Sequence, residues 1–390
     1  MGNSSKILSL IKYGFSNSKK KFGINYWRFF FNAIEKNSGA QQMFYLEFEM
    51  LNPWLSADKA ILGYKPRVSI SAEDLQYALA GTENAKNIQT ETILQPSYCA
   101  VRIGKFGKNG KQLCSYYPLN EVSFDAKPFE IVAGQNVFNE NKLQGSIHIT
   151  KEDLNDFPEL MCDYGNASWN LSYLMNVLCA NGYNANGNRW FPAGLNVSYS
   201  GSITFDETEY IIDPSRSYGF MERLWGKSLM EPWFHISSAN LISNITGKPL
   251  EAASFSVQGV FDQHVSFAGN IEKSQILFSL DGSNKYSDVW QCTQMPSVEE
   301  IDQNNLHWSV SIHNKQWIID VDAFCQINEL TNRSIELPEG QRKVLNVLQG
   351  GSGSGEIKIY RKSGKNLEQI EFAKFTNCVC EFGHIEEAEL

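Results

Sequence analysis

No apolar run in this 390-residue chain approaches the length of a membrane-spanning helix. Metal-binding spacing is missing too: the six histidines (148, 235, 264, 307, 313 and 384) form no His-Glu-x-x-His or comparable set, so no metal is expected. The eight cysteines, at 99, 114, 162, 179, 292, 325, 378 and 380, include no Cys-x-x-Cys pair. Reduced thiols in a cytoplasmic protein are the expectation. Positive charge is in deficit, with 34 Lys and Arg against 43 Asp and Glu and a net charge of −9, so no global field draws in nucleic acid. The Gly350–Gly355 run, GGSGSG, is not followed by Gly-Lys-Ser/Thr; it reads as a flexible hairpin tip rather than a phosphate loop. The absence of a Gly-x-Ser-x-Gly elbow removes that class of hydrolase.

A secretory leader is not expected. The apolar patch Ile7–Ile11 is too short for one, and Lys6 stands where myristoylation needs Ser or Thr. Lys6, Lys12, Lys19, Lys20 and Lys21 leave open a peripheral contact with an anionic membrane surface. The plainer reading of residues 1–21 is a solvated, frayed segment.

What the chain does have is aromatic side chains, 13% of the total, and alternation. In Gln42–Leu51, Phe44, Leu46, Phe48 and Met50 fall on one strand face and Tyr45, Glu47 and Glu49 on the other. Gly201–Ile212 reads as two strands around an Asp206-Glu207-Thr208 turn. Further strands are predicted at 255–261, 275–280, 307–313, 317–321, 356–360 and 372–382. Helix signals are few: Ser71–Ala80, Thr150–Phe157 and Glu339–Leu348. A weak repeat relates Tyr26-Trp27-Arg28-Phe29 to Pro232-Trp233-Phe234-His235. Each is a Trp-led strand followed by a polar turn and a second strand, 206 residues apart (233 minus 27). The implied organisation is an N-terminal segment 1–21, a first β-domain over 22–228 and a second over 229–390.

The densest signal is residues 218–240, where Gly219, Phe220, Glu222, Trp225, Gly226, Pro232, Trp233 and Phe234 stand together. It resembles the Gly-Tyr-x-Glu-x-Asn-Trp-Gly…Trp-Phe segment of the tocopherol cyclase family, which is related to carotenoid hydratases and lipocalin-like pericyclases. Tyr26-Trp27-Arg28-Phe29, Ser168-Trp169-Asn170, the Tyr199–Tyr210 hairpin and Glu381-Phe382-Gly383 extend the likeness over about residues 22–384. The resemblance implies an all-β fold of two lipocalin- or calycin-like antiparallel β-domains, barrel or sandwich, side by side with few short helices. It implies acid-assisted cyclisation or isomerisation of a prenylquinol, isoprenoid or other lipid, without a cofactor. The alternative is a protein that binds such a molecule without turning it over.

On this resemblance Glu222 is the acid, while Phe220, Trp225, Trp233, His235, Trp27 and Tyr45 bind substrate. A buried carboxyl donates a proton if its pKa is raised, and aromatic faces steady the resulting cation. The bland readings are an ion pair of Glu222 with Arg223, core packing for the tryptophans and a hydrogen-bonded structural His235. Phe220 replaces the family's Tyr and Leu224 its Asn, so a hydroxyl and an amide are missing. Glu47 and Glu49 form a second carboxylate pair. In an interior, like charge would raise one pKa. The more apolar opposite face assigns the pair to solvent instead.

Overall fold

Two sheets divide the chain. The computed structural model describes residues 11, 23–55, 58–62, 95–126, 128–180, 182, 184–185, 187–251, 253–260, 264–271, 290–298, 304–313, 315–340 and 343–387. The predicted helix at 71–80 and strand at 275–280 lie outside these residues. The first sheet has 13 strands among the described residues. Its order runs from Lys111–Tyr117 through Tyr98–Lys105, Gln41–Leu51, Ile24–Glu35, Thr208–Ile212, Asn188–Phe205 and Gly165–Leu178 to Lys142–Ile149 and three short strands beyond. Gly219–Gly226 pairs with both Ile24–Glu35 and Asn188–Phe205. The sheet closes into a lipocalin-like barrel. Its interior is filled by the inward residues of the alternating strands, Trp27, Phe29, Phe31, Phe44, Leu46 and Phe48 among them. At one end, buried Ile11 accepts hydrogen bonds at its carbonyl from Trp27 Nε1 (3.0 Å) and Arg223 Nε (3.2 Å).

The second sheet has 10 strands among the described residues, all antiparallel, with Trp233–Ser238 paired between Ser254–Val260 and Asn366–Glu387. Phe234, Ile236, Phe255, Val257, Trp308 and Phe375 fill its own core. The opposite face, carrying His235, Ser237, Ser256 and Glu381, lies against the barrel's outer wall. The fold is thus all-β and lipocalin-like, with two antiparallel units side by side. A short α-helix, Lys151–Asp156, falls within the 150–157 expected from the sequence. Thr150 Oγ1 accepts from Asp153 N, and the Asp153 side chain accepts from Thr150 N.

Two expectations fail here. Glu339–Leu348 is not a helix: Gly340 turns, and Lys343–Ser363 is a strand of 21 residues. Its Val344, Leu345, Val347 and Leu348 fit either period, and pairing with Thr331–Glu336 and Asn366–Glu387 decides for β. The glycine run at 350–355 is no hairpin tip either. It lies inside that strand, and two of the strand's three register shifts fall within it. A Cβ on Gly355 would meet Asp322 O at 1.9 Å, so glycine there permits a close strand approach. Cys378 and Cys380, two positions apart on this sheet's last strand, share one face as free thiols.

Candidate active site at the joint between the sheets

Register alone builds the centre of this site. Across the barrel's outer face, Arg102 pairs with Glu47, Glu47 with Arg28, and Arg28 with Glu222, giving a row of alternating charge over four neighbouring strands. Across the facing sheet, Gln258 pairs with His235, His235 with Glu381, and Glu381 with Gln349. The two rows meet face to face, and every one of these side chains is buried.

The contacts between the rows are reciprocal. Arg28 of the barrel bonds Glu381 of the second sheet through Nη2. His235 of the second sheet approaches Glu222 of the barrel, with Nε2 to Oε2 at 3.6 Å. Within its own sheet each base also faces the neighbouring acid: Arg28 Nη1 donates to Glu222 at 3.2 Å, and His235 Nδ1 lies 2.9 Å from Glu381. In these contacts Arg28 stands to the barrel as His235 stands to the second sheet, one residue out of step with the Trp27–Trp233 match read from the sequence. Arg28 matches His235, 207 positions later (235 minus 28), so Trp27 matches Phe234 rather than Trp233.

The remaining polar atoms fix these groups. Trp190 Nε1 donates to Glu222 Oε2 at 3.0 Å. Ser237 Oγ lies 2.5 Å from His235 Nε2, and Ser256 Oγ lies 3.3 Å from the same nitrogen. Burial alone would raise the Glu381 carboxyl, but Arg28 and His235 more than reverse this and hold it below the usual carboxylate range. Against the same opposition from burial, Arg333, Arg102 and Arg28 bring Glu47 down to about 2. Glu49 goes the other way. Burial raises it, Arg102 offsets only part of that, and the charge on Glu47 adds to the rise.

These carboxylates correct the sequence reading. Glu47 and Glu49 do not face solvent; both are fully buried because the second sheet covers their side of the barrel. Arg102 makes the burial tolerable, reaching Glu47 at 2.6 Å and Glu49 at 3.1 Å. The expected Glu222–Arg223 ion pair is absent for a simpler reason: neighbours on a strand point to opposite faces. Arg223 turns to the barrel end, donates to the Tyr26 carbonyl and Asn25 Oδ1, and lies 3.9 Å over the Trp27 ring.

The other sequence candidates divide by face. Phe220 stacks on Phe30 at 4.6 Å between ring centres and meets His235 edge-on at 5.9 Å. Trp233 lies 6.2 Å from His235. Tyr45 donates to Gln112 Oε1 at 2.5 Å and accepts from Gln349 at 3.2 Å. Trp27 and Trp225 are not brought in: Trp27 fills the barrel, and Trp225 packs on Phe191 and Arg223. The sequence reading passed over Arg28, Trp190, Arg102, Arg333 and Glu381 as functional groups. Arg28 carried a usable signal, a lone cation inside the run Tyr26-Trp27-Arg28-Phe29-Phe30-Phe31, where burial demands a carboxylate.

A narrow cleft leads to the joint. Tyr26, Leu224, Leu229, Met230, Trp233, Ile335 and Leu345 line it, with Arg28 and Arg333 at its polar side. Its free space is about 10 Å³, room for about one water molecule. Two larger grooves, of about 230 and 310 Å³, open elsewhere and touch neither Arg28 nor Arg333.

No known protein family matches the chain, and no curated protein does. Among solved structures it is similar to a putative AttH protein from Nitrosomonas europaea, at 9% identity and a TM-score of 0.40, covering 94% of this chain and 95% of that one. It is also similar to CghA bound to Sch210972, at 10% identity and 0.40, covering 93% and 88%. A third is kievitone hydratase from Nectria haematococca, at 10% and 0.38, covering 95% and 92%. Likenesses this distant assign no chemistry.

Proposed function

We propose that the protein is a lipocalin-like enzyme that closes or isomerises a hydrophobic small molecule by proton transfer, in the manner of a tocopherol cyclase. One observation carries the reading: an imidazole, His235, held between two fully buried carboxylates that both bond Arg28, a polar wall residue of an apolar cleft. Such a pair is a proton store sheltered from bulk water.

In the proposed reaction the cleft widens beside Arg28 as substrate enters, and Glu222 behind it gives its proton to an alkene carbon of the substrate. The carboxylate left behind is met by Arg28 at 3.2 Å and by the Trp190 N–H at 3.0 Å, both already in place. The cationic carbon lies beside the Trp233 and Tyr26 rings, which stabilise it. A substrate hydroxyl oxygen then forms the new C–O bond, and its proton returns to the Glu222–His235 pair, so no atoms are gained or lost. The narrowness of the cleft keeps water from capturing the cation first.

The second reading, a carrier of lipid or isoprenoid without turnover, is favoured by Phe220 and Leu224, which put apolar groups where the family has a hydroxyl and an amide. Mass spectrometry of molecules that co-purify with wild type and with Glu222→Gln separates the two. Turnover predicts a trapped precursor in the variant alone. The same bound molecule in both would reject turnover and leave carriage.

A further inference from the structure

We infer that the cleft takes an amphiphile with an anionic end, a carboxylate or a chemically similar acceptor, seated on Arg333. This rests on the reading above for its choice of cleft and adds the class of molecule.

Arg333 is 2% exposed and lines the cleft. Its Nη1 donates to Glu47 Oε2 at 3.0 Å, while its Nε and Nη2 have no hydrogen-bond partner. Buried donors are nearly always paired, and leaving two on a charged group is costly. The vacant pair is chemically specific. Nε–H and Nη2–H lie parallel along one edge of a guanidinium, the edge that grips both oxygens of a carboxylate.

Charge points the same way. Among the described residues, Glu47 is the one carboxylate in ion-pair contact with Arg333, and it also serves Arg102 at 2.6 Å and Arg28 at 3.6 Å. That carboxylate is shared by three guanidinium groups, and among the described residues Arg333 makes no second ion pair, although its charge also reaches Glu381 and Glu49. The rest of the lining (Leu224, Leu229, Met230, Trp233, Ile335 and Leu345) suits a hydrocarbon body. Leu229 and Met230 belong to the connection between Gly226 and Trp233 and are half-buried. With about 10 Å³ free, an incoming chain takes the space of these two side chains, so the connection gives way on binding.

The test is fluorescence titration of the full-length protein with cis-parinaric acid and with its uncharged alcohol. Wild type should bind the acid about tenfold tighter or more, the equivalent of one strong charge-assisted contact. Arg333→Met should lower acid binding to the level of the alcohol and leave the alcohol unchanged. Leu229→Trp, which fills the cleft, should weaken both probes at least tenfold. Equal affinity for acid and alcohol in wild type, or binding of neither, overturns the inference without recourse to a variant. So does a preference that survives Arg333→Met. Glu222→Gln should keep the acid-to-alcohol ratio. If the co-purification test fails while that ratio stands, catalysis is wrong and the ligand class survives.

Discussion

Glu47 and Glu49 are two positions apart, share Arg102, and titrate in opposite senses. Glu47 falls from 4.5 to about 2 in the fold, so its contribution is fully present above pH 4.5 and fades as pH drops toward 2. Glu49 is raised, so its contribution is full below 4.5 and is lost as pH climbs through its folded value. Urea unfolding across pH should show this directly. Glu47→Gln strips three guanidinium groups of a shared partner and should cost about 3–5 kcal/mol at pH 7. Glu49→Gln should cost clearly less, and wild type should lose ground to it as pH rises above 4.5. Equal costs for the two substitutions would show that their environments are not distinct. From the sequence, the shared face of these carboxylates was legible and its burial was not. The cover comes from His235, Arg333 and Glu381, far along the chain, and alternation within one strand says nothing of what lies over it.

At the scale of elements, the 21-residue strand Lys343–Ser363 shows what local patterns convey. Its outer parts alternate and were partly legible, as at 356–360. Its middle carries a glycine run that in isolation reads as a turn. The turn reading fails because the glycines serve approach rather than reversal, with Gly355 facing the Asp322 carbonyl and Gly351 facing Phe106 and Met43 of the barrel. Gly355→Ala should therefore destabilise the fold by about 1–3 kcal/mol, read from the urea midpoint. A neutral result would mean that the strands separate freely there. The helix at 151–156 was legible because its stop is local, with Pro158 just beyond its end. Trp27 and Trp225 were misplaced for the opposite reason. A motif gives the neighbours of a residue in sequence, whereas the strand face sends Trp225 away from Glu222.

The whole molecule is held at the joint by the reciprocal contacts Arg28–Glu381 and His235–Glu222. Neither partner can be removed cheaply, because the other stays buried and charged. Arg28→Met or Glu381→Gln alone should each cost about 3–5 kcal/mol, and the double variant less than their sum. Each single variant should also broaden denaturant unfolding into two steps as the sheets uncouple, followed by tryptophan fluorescence and circular dichroism together. Additive losses with one sharp step would show that the joint holds by apolar packing instead. The two-unit plan was legible through the repeat, while the pairing between units depends on register at both ends and was not.

During synthesis, Arg28 leaves the ribosome 353 residues ahead of Glu381. The aromatic barrel interior has all its strands long before then, since its last one ends at Gly226. The outer wall, however, keeps its row of Arg102, Glu47, Arg28 and Glu222 uncovered until the second sheet, ending in the strand Asn366–Glu387, arrives. The nascent barrel thus presents a charged, wettable flank while it waits, which protects it from sticking to other chains. The same strand that completes the second sheet then brings Glu381 onto Arg28, so the joint and the finished fold appear in one event.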